Sequence, residues 1–462
     1  MKKDLTKIKY YDTILDVIGQ TPLIKLHRIN KGLRPHIFVK AEFLNPGGSI
    51  KDRIGFEIII DAEKTGRLKP GGTIVESTSG NTGMGLALAA AVKGYKTVFT
   101  MPDKMSQEKI SNLRAFGAEV IVTPTAVPHD SPESYTEVAK RRVRETPNSI
   151  LADQYENPKN PEAHYKTTGP EIWEQTGGQI DHFICGIGTG GTITGTAKYL
   201  KEKNPNIKVI GVDIKGSILQ EYFYKKKYDP VFKTYKVEGI GQDYIPKTLD
   251  FSYVDEVLIA DDKESFIAAR KMTREEGIFV GGSSGTALHA GLEYCKNLSE
   301  DDVVVILLPD SGTRYVSKIF NDVWMRENGF LKAERMTLRN VLEAKNSGLP
   351  NLVTVQQNTT VRQALELIKE HSISQLPVIE NGRCVGTVTE SNLLASVLND
   401  ALRFDKSVEQ TMESPLPEMH MNEELQEAVK FFTQKMPAVI VKDDTKPIGI
   451  LTRFDVLEYM SH

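Results

Sequence analysis

Cysteine is scarce in this sequence. Three thiols, Cys185, Cys295 and Cys384, are spread over 462 residues, too far apart for a disulfide framework or for the paired spacing of a metal site. That excludes a disulfide-stapled secreted scaffold, leaves no metal-ligand set, and makes a reducing, cytoplasmic compartment the expectation. Long apolar runs are also lacking. A bilayer span needs about 18–20 apolar residues, and the longest runs here, such as 303–308, suit buried strands. Met1-Lys2-Lys3-Asp4 leads into a charged stretch without the apolar centre of a secretory signal. Neither sign of charge prevails: 58 Lys and Arg stand against 61 Asp and Glu, interspersed, for a net charge of −3. Neither a nucleic-acid partner nor a membrane is therefore expected.

What is present is apolar material, 40% of residues, sufficient for sizeable cores, and a length that allows two or three domains. Residues 1–331 alternate strand-like and helix-like segments, with strands expected at 37–43, 73–76, 96–101, 119–123, 182–187, 208–213 and 303–308. Most are followed by glycine-rich turns and helical patterns, which predicts an α/β domain with a mainly parallel sheet and ligand loops at the carboxyl ends of its strands. Residues 332–335 read as a charged linker, and a weak internal repeat follows over 336–398 and 408–462. Val361, Ala364, Leu365, Leu367 and Ile368 recur as Leu425, Ala428, Val429, Phe431 and Phe432, 64 positions on. Pro-Val-Ile at 377–379 matches Pro-Ala-Val at 437–439, and 385–389 matches 448–452. Each copy reads helix, strand, turn, strand, helix.

Four polar turns fall at strand ends. The first is Asn-Pro-Gly-Gly-Ser-Ile-Lys-Asp-Arg at 45–53. It leads into a helix expected over 52–64, with Ser49 as N-cap, and sets Lys51 near the helix start. The dipole there disfavours a cation, so the amine should deprotonate more easily, as a Schiff-base lysine must. Taken alone, a loop lysine is most often a solvated charge. The second is Ser-Thr-Ser-Gly-Asn-Thr-Gly at 77–83, which suits a carboxylate cradle or an ordinary capped turn equally well. The third, Gly-Ile-Gly-Thr-Gly-Gly-Thr at 186–192, can hold a phosphate on its N–H groups. It also fits the dinucleotide fingerprint, with Asp213 near the ribose position, so a nicotinamide oxidoreductase stays open on pattern alone. The fourth is Leu-Pro-Asp-Ser-Gly at 308–312, where Ser311 could face a ring nitrogen or merely cap a helix. A similar turn at 281–285 could close on a cofactor or on the sheet. An aldehyde partner, a phosphate site and ring hydrogen bonds together suit pyridoxal phosphate.

With these motifs in order and at their intervals, and with 237–246 added, nearly the whole chain resembles the cystathionine β-synthase family. The resemblance implies a fold-type-II pyridoxal-phosphate enzyme, similar to the tryptophan synthase β-subunit, followed by a tandem CBS-domain module. It implies a lyase that condenses L-serine with L-homocysteine to L-cystathionine and water, with hydrogen sulfide as a further product. Cysteine synthase, using O-acetylserine and sulfide on the same scaffold, is the alternative. Lys51 would carry the cofactor as a Schiff base, Asn81 would bond its phenolic oxygen, and Gly188, Thr189, Gly190, Gly191 and Thr192 its phosphate. Ser311 would face its ring nitrogen. Thr78, Ser79, Thr82 and Gln154 would hold the amino-acid carboxylate, with Tyr155, Gly239, Gln242 and Asp243 beside the second substrate. Gln242 stands where the animal enzymes usually have Tyr. Haem-containing members carry Cys and His ligands in an N-terminal extension; no Cys precedes Lys51, and haem is not expected. Related enzymes are homodimers or larger. In the tail, Thr452 and Asp455 keep the spacing that holds an adenosyl ribose, whereas the first copy has Thr389 and Asn392.

Overall fold

The computed structural model describes residues 9–78, 80–103, 105, 107–124, 127, 131–228, 234–332, 336–345, 351–399, 401–434 and 436–461. Two compact units divide the chain, Met1–Lys332 and Ala333–His462. In the first unit the order is β1 (Leu23–Lys25), β2 (His36–Ala41), α1 (Lys51–Lys64), β3 (Thr73–Ser77), α2 (Asn81–Lys93), β4 (Lys96–Pro102) and α3 (Gln107–Ala115). Then come β5 (Glu119–Thr123), α4 (Tyr135–Glu145), β6 (Ser149–Leu151), α5 (Lys159–Lys166), α6 (Thr168–Gln175), β7 (His182–Gly186) and α7 (Gly191–Lys203). The unit closes with β8 (Lys208–Ile214), α8 (Leu219–Lys225), β9 (Glu256–Ala260), α9 (Asp262–Glu276), α10 (Gly282–Cys295), β10 (Val303–Leu308) and α11 (Asp322–Glu327).

These strands form two sheets. One runs β5-β4-β3-β6 and is parallel throughout. The other runs β1-β2-β10-β7-β8-β9 and is antiparallel only at β1. Strands such as β10, Val-Val-Val-Ile-Leu-Leu, are apolar without alternation because helices cover both faces. Chain order leaves the large sheet after β2 and returns to it at β7, so the loops after β2, β3, β7 and β10 converge between the sheets. Glycine seats α1 there: a Cβ on Gly85 would lie 2.5 Å from the Lys51 carbonyl oxygen, and one on Gly55 2.5 Å from the Gly85 carbonyl carbon. The contact presses the first turn of α1 onto α2.

Three local expectations are corrected. The strand expected over 37–43 stops at Ala41, and Glu42–Leu44 turns into a 3₁₀ helix that carries Glu42 inward to Arg53. Ser49 is not the N-cap of α1; Ile50 is, with Ser49 Oγ accepting from the Lys51 N–H at 3.3 Å. After the strand at 73–76 the sequence predicts a helix from about residue 84, but α2 begins at Asn81, because Gly80 takes φ +124° and completes the turn in one residue.

The second unit holds α12 (Leu338–Ala344), α13 (Val361–Glu370), β11 (Gln375–Glu380), β12 (Arg383–Thr389), α14 (Glu390–Asn399), β13 (Glu418–His420), α15 (Leu425–Thr433), β14 (Ala438–Asp443), β15 (Lys446–Thr452) and α16 (Arg453–Ser461). Each copy is helix, strand, strand, helix. The strand match is shifted from the sequence alignment: Pro377 lies inside β11 opposite Thr387, whereas Pro437 precedes β14. The ladders break at corresponding places, Val378/Ile379 and Val441/Lys442. Most of the linker proposed at 332–335 lies outside the described residues. Among the described residues no helix is long and apolar enough to cross a membrane.

Candidate active site

Lys51, Ile50, Cys185, Gly186, Gly188, Thr189, Gly190, Thr192, Gly239, Ile240 and Ser283 line one cavity at these strand ends. Among the described residues, Lys51 Nζ has no hydrogen-bond or ion-pair partner. Its pKa lies below the ordinary lysine value through burial, against which Cys185 and Asp310 act weakly. The direction agrees with the sequence expectation, but the largest cause is desolvation rather than the helix dipole. Burial likewise pushes the Cys185 thiol up to about 12.

The turn at 188–192 wraps the amino end of α7. Gly190 has φ +86°, and a Cβ there would lie 2.4 Å from Leu249 Cβ; one on Gly188 would lie 2.7 Å from the Gly239 carbonyl oxygen. Among the described residues, no backbone carbonyl accepts from the N–H groups of Gly188, Thr189 or Gly190. A turn packed this tightly against backbone, with free N–H groups at a helix start, is built for an anion. An unpartnered lysine amine shares its cavity. Together these fit a phosphate-bearing aldehyde such as pyridoxal phosphate.

The third cluster stands beside them. Thr78 Oγ1 accepts from the N–H groups of Gly80 and Gly83 at 3.0 and 3.3 Å. Thr82 Oγ1 donates to Gln154 Oε1 at 2.5 Å, and Gln154 Nε2 donates to the Ser77 carbonyl at 3.4 Å. Ser79 lies outside the described residues. The loop carrying Gln154 is tied down by buried Glu76, which accepts from the N–H of Asp153 at 2.6 Å. Burial pushes the Glu76 carboxyl up to about 8, against the pull of these N–H groups. The Gln242 side chain hydrogen-bonds the Tyr155 hydroxyl, whose ring lies 5.8 Å from that of Tyr244. Gln242 is clamped by Ser217, whose Oγ accepts from its N–H at 2.9 Å, while Asp243 is exposed. The structure thus brings Lys51, Gly188, Thr189, Gly190, Thr192 and Gly239 to one cavity wall, and Asn160 joins Thr189 to the loop carrying Gln154.

Two expected residues have hydrogen-bond partners of their own. Ser311 caps a 3₁₀ turn, accepting from the Thr313 N–H and pairing with Thr313 Oγ1 at 3.0 Å. Ser283, in the first turn of α10 and 4% exposed, lines the cavity wall. The Asn81 side chain is engaged: its Nδ2 donates to Asp310 Oδ2 at 2.9 Å and its Oδ1 accepts from Arg314. Sequence reading also passed over Asn160 and His164. Their one signal was an i, i+4 spacing ahead of the glycine turn. In the tail, Asp455 Oδ2 accepts from Thr452 N and Oγ1 at 2.6 and 2.7 Å, while Lys345 Nζ approaches its Oδ1 at 3.1 Å.

Comparison with known proteins adds the class. Residues 14–310 match the family described as Pyridoxal-phosphate dependent enzyme, and 349–399 and 407–462 match the CBS domain. Two solved structures each cover 67% of this chain and 99% of their own length at a TM-score of 0.62. They are the O-acetylserine dependent cystathionine beta-synthase from Helicobacter pylori, 39% identical, and a hydrogen sulfide-producing enzyme from Fusobacterium nucleatum, 38% identical. Fold and site therefore define a fold-type-II pyridoxal-phosphate enzyme with tandem CBS domains. The chain is 43% identical over 463 residues to the cystathionine beta-synthase of Dictyostelium discoideum, covering 97% of this chain and 92% of that one. With that of Saccharomyces cerevisiae it shares 39% over 499 residues, 97% of each chain. It belongs to the cystathionine β-synthase family, a family of pyridoxal-phosphate-dependent lyases.

Proposed function

We propose that the protein replaces the β-hydroxyl of L-serine with the sulfur of L-homocysteine, giving L-cystathionine and water, and that it also releases hydrogen sulfide from thiol substrates. The observation that carries this reading is an unpartnered lysine amine and an N–H cradle on one cavity wall, with Asn160 tying the cradle to the loop whose Gln154 accepts from Thr82. Bound pyridoxal phosphate would supply the carbonyl that takes up the substrate amine and a ring that accepts electron density from the α-carbon. Residues 188–192 would hold its phosphate, Asn81 its phenolic oxygen and Ser311 its ring nitrogen. Thr78, Thr82 and Gln154, with Ser79 beside them, would orient the serine carboxylate. Lys51, whose amine is easier to deprotonate because it is desolvated, takes the α-proton and later returns it. At the β-carbon the C–O bond breaks, releasing water, and a C–S bond to the thiolate forms. Gly239, Gln242, Asp243 and Tyr155 would face the incoming thiol. Haem has no part in this reading. A homodimer or larger assembly in the cytoplasm completes it.

Serine plus homocysteine is expected to give a higher kcat/KM than O-acetylserine plus sulfide. The second reading, an O-acetylserine-dependent enzyme, is favoured by the likeness to the Helicobacter pylori protein; the reverse ranking would establish it. Gln242→Tyr should alter homocysteine use more than release of the serine hydroxyl, since Gln242 touches Tyr155 rather than the Thr78 cluster; single-turnover kinetics separates the two steps.

For the tail, S-adenosylmethionine is expected to bind weakly and not to activate the enzyme severalfold. Only the Thr452/Asp455 copy has a ribose acid, and that acid is already paired with Lys345. A ligand without differential affinity shifts no equilibrium. Calorimetric titration with S-adenosylmethionine and with adenine nucleotides reads this directly. Tight binding that vanishes in Asp455→Ala, with activation of the intact chain, would refute it.

A further inference from the structure

Helix α5 lies on α7 at backbone contact: a Cβ on Gly195 would fall 2.0 Å from the Pro161 carbonyl oxygen, and one on Gly191 1.9 Å from Asn160 Oδ1. Two fully buried side chains one turn apart on α5, Asn160 and His164, thereby reach the cradle at 188–192. Asn160 Nδ2 donates to the Gln154 carbonyl at 2.7 Å and to Thr189 Oγ1 at 3.0 Å. The carbonyl can only accept, so it fixes which end of the amide faces it, and Thr189 must then accept as well. Its own hydroxyl hydrogen is left to point into the cradle. His164 Nε2 lies 3.2 Å from Thr192 Oγ1, and Nδ1 lies 2.9 Å from Thr168 Oγ1. Burial, with Lys51 and Arg53 nearby, holds the imidazole well below its ordinary pKa; Glu171 opposes this weakly. A neutral ring offers one N–H. If Thr168 donates to Nδ1, that N–H sits on Nε2 and Thr192 is again an acceptor whose hydrogen is free.

We propose that Asn160 and His164 are positioning residues that hold the Thr189 and Thr192 hydroxyls as acceptors and so aim both hydroxyl hydrogens at the phosphate. The proposal rests on the reading of 188–192 as the phosphate cradle. A phosphate dianion only accepts, so the loop then adds two aligned O–H donors to its backbone N–H groups. Asn160 also ties this loop to the one carrying Gln154.

The test is the Kd of the full-length apo-protein for pyridoxal phosphate, measured by fluorescence titration in a double-mutant cycle. Thr192→Val and His164→Ala should each weaken binding roughly five- to tenfold, the size of one neutral hydrogen bond. Together they should lose no more than the worse single variant, because His164 acts through the hydroxyl. His164→Gln, which keeps a side-chain N–H donor, should restore most of the affinity. Asn160→Asp, which replaces the donor by an acceptor, should weaken binding more than Asn160→Ala. In ¹⁵N-histidine-labelled protein, His164 should show the Nε2–H tautomer. Multiplying losses in the double variant, an Nδ1–H tautomer, or an unchanged Kd with a lowered melting temperature would each overturn the proposal and leave α5 a packing element. A wild-type protein that bound no pyridoxal phosphate would instead overturn the reading beneath it.

Discussion

Lys51→Ala is expected to lower turnover by roughly 10⁴-fold or more while the protein stays folded, as for other covalent catalytic groups removed outright. The fold should survive because the Lys51 amine holds nothing. Among the described residues no partner is orphaned by its loss, and alanine favours a helix at least as well as lysine. The contact that seats α1 on α2 runs through the Lys51 backbone, which the substitution keeps. Borohydride reduction of protein loaded with pyridoxal phosphate, followed by peptide mapping, should place the pyridoxyl label on Lys51. Two other buried lysines make the mapping decisive. Lys40 is held by Glu171 at 2.7 Å, and Lys109 is paired with Glu238. Both of these amines are already engaged by a carboxylate, whereas Lys51 Nζ has no such partner among the described residues. Label on either, or turnover in Lys51→Ala within tenfold of the parent, would remove the central assignment.

How much of this was legible beforehand depended on how local the cause was. Strands β5 and β10 were readable residue for residue, because a run of β-branched side chains between turn formers has one local meaning. The three main turns were readable because glycine, threonine and asparagine at a strand-to-helix step signal free N–H groups. What a side chain in such a turn bonds was not. Asn81 donates to Asp310, 229 positions on, and accepts from Arg314, 233 positions on, contacts that no local pattern records. Glu42 read as the end of a strand, yet its partner Arg53 lies 11 positions on, and Glu171 joins the same cluster from 118 positions past Arg53. The tail repeat was visible in its helices. Its strand register was not, since Pro377 and Pro437 look alike in sequence and differ only in whether a ladder forms around them.

That buried cluster carries the largest expected effect on stability. Arg53, 3% exposed, donates from Nη1 to Glu171 Oε1 at 2.6 Å, from Nη2 to Glu42 Oε1 at 2.8 Å, and from Nε to Glu42 Oε2 at 2.8 Å. Lys40 Nζ completes it, donating to Glu171 Oε2 at 2.7 Å and to the Thr21 carbonyl at 2.6 Å. Two cations thus balance two carboxylates inside the protein. Arg53→Met keeps the volume but leaves Lys40 alone against both acids. Removing one partner from a buried ion cluster typically costs about 3–5 kcal/mol, because the remaining charge stays desolvated and unmatched. The effect should depend on pH in a determined sense. Burial alone would raise the Glu42 and Glu171 carboxyls, but Arg53 and Lys40 outweigh it and hold both below the usual range. A carboxyl whose folded pKa is depressed contributes stability above its unfolded pKa and loses it as pH falls through the folded value. In Arg53→Met that depression is largely gone, so acid has less stability to remove. The gap in melting temperature between parent and variant should be widest near pH 7 and narrow below about pH 4, where unfolded carboxyls take up protons. Differential scanning fluorimetry at both pH values measures it. A gap that stayed constant with pH would mean that Arg53 acts by filling space, and the charge argument would fall. Arg53 also lies two residues after Lys51 on α1, so loosening the cluster loosens the turn that aims the catalytic amine. Arg53→Met should accordingly lower kcat more than it raises KM for serine, whose expected carboxylate site at Thr78, Thr82 and Gln154 does not touch the cluster.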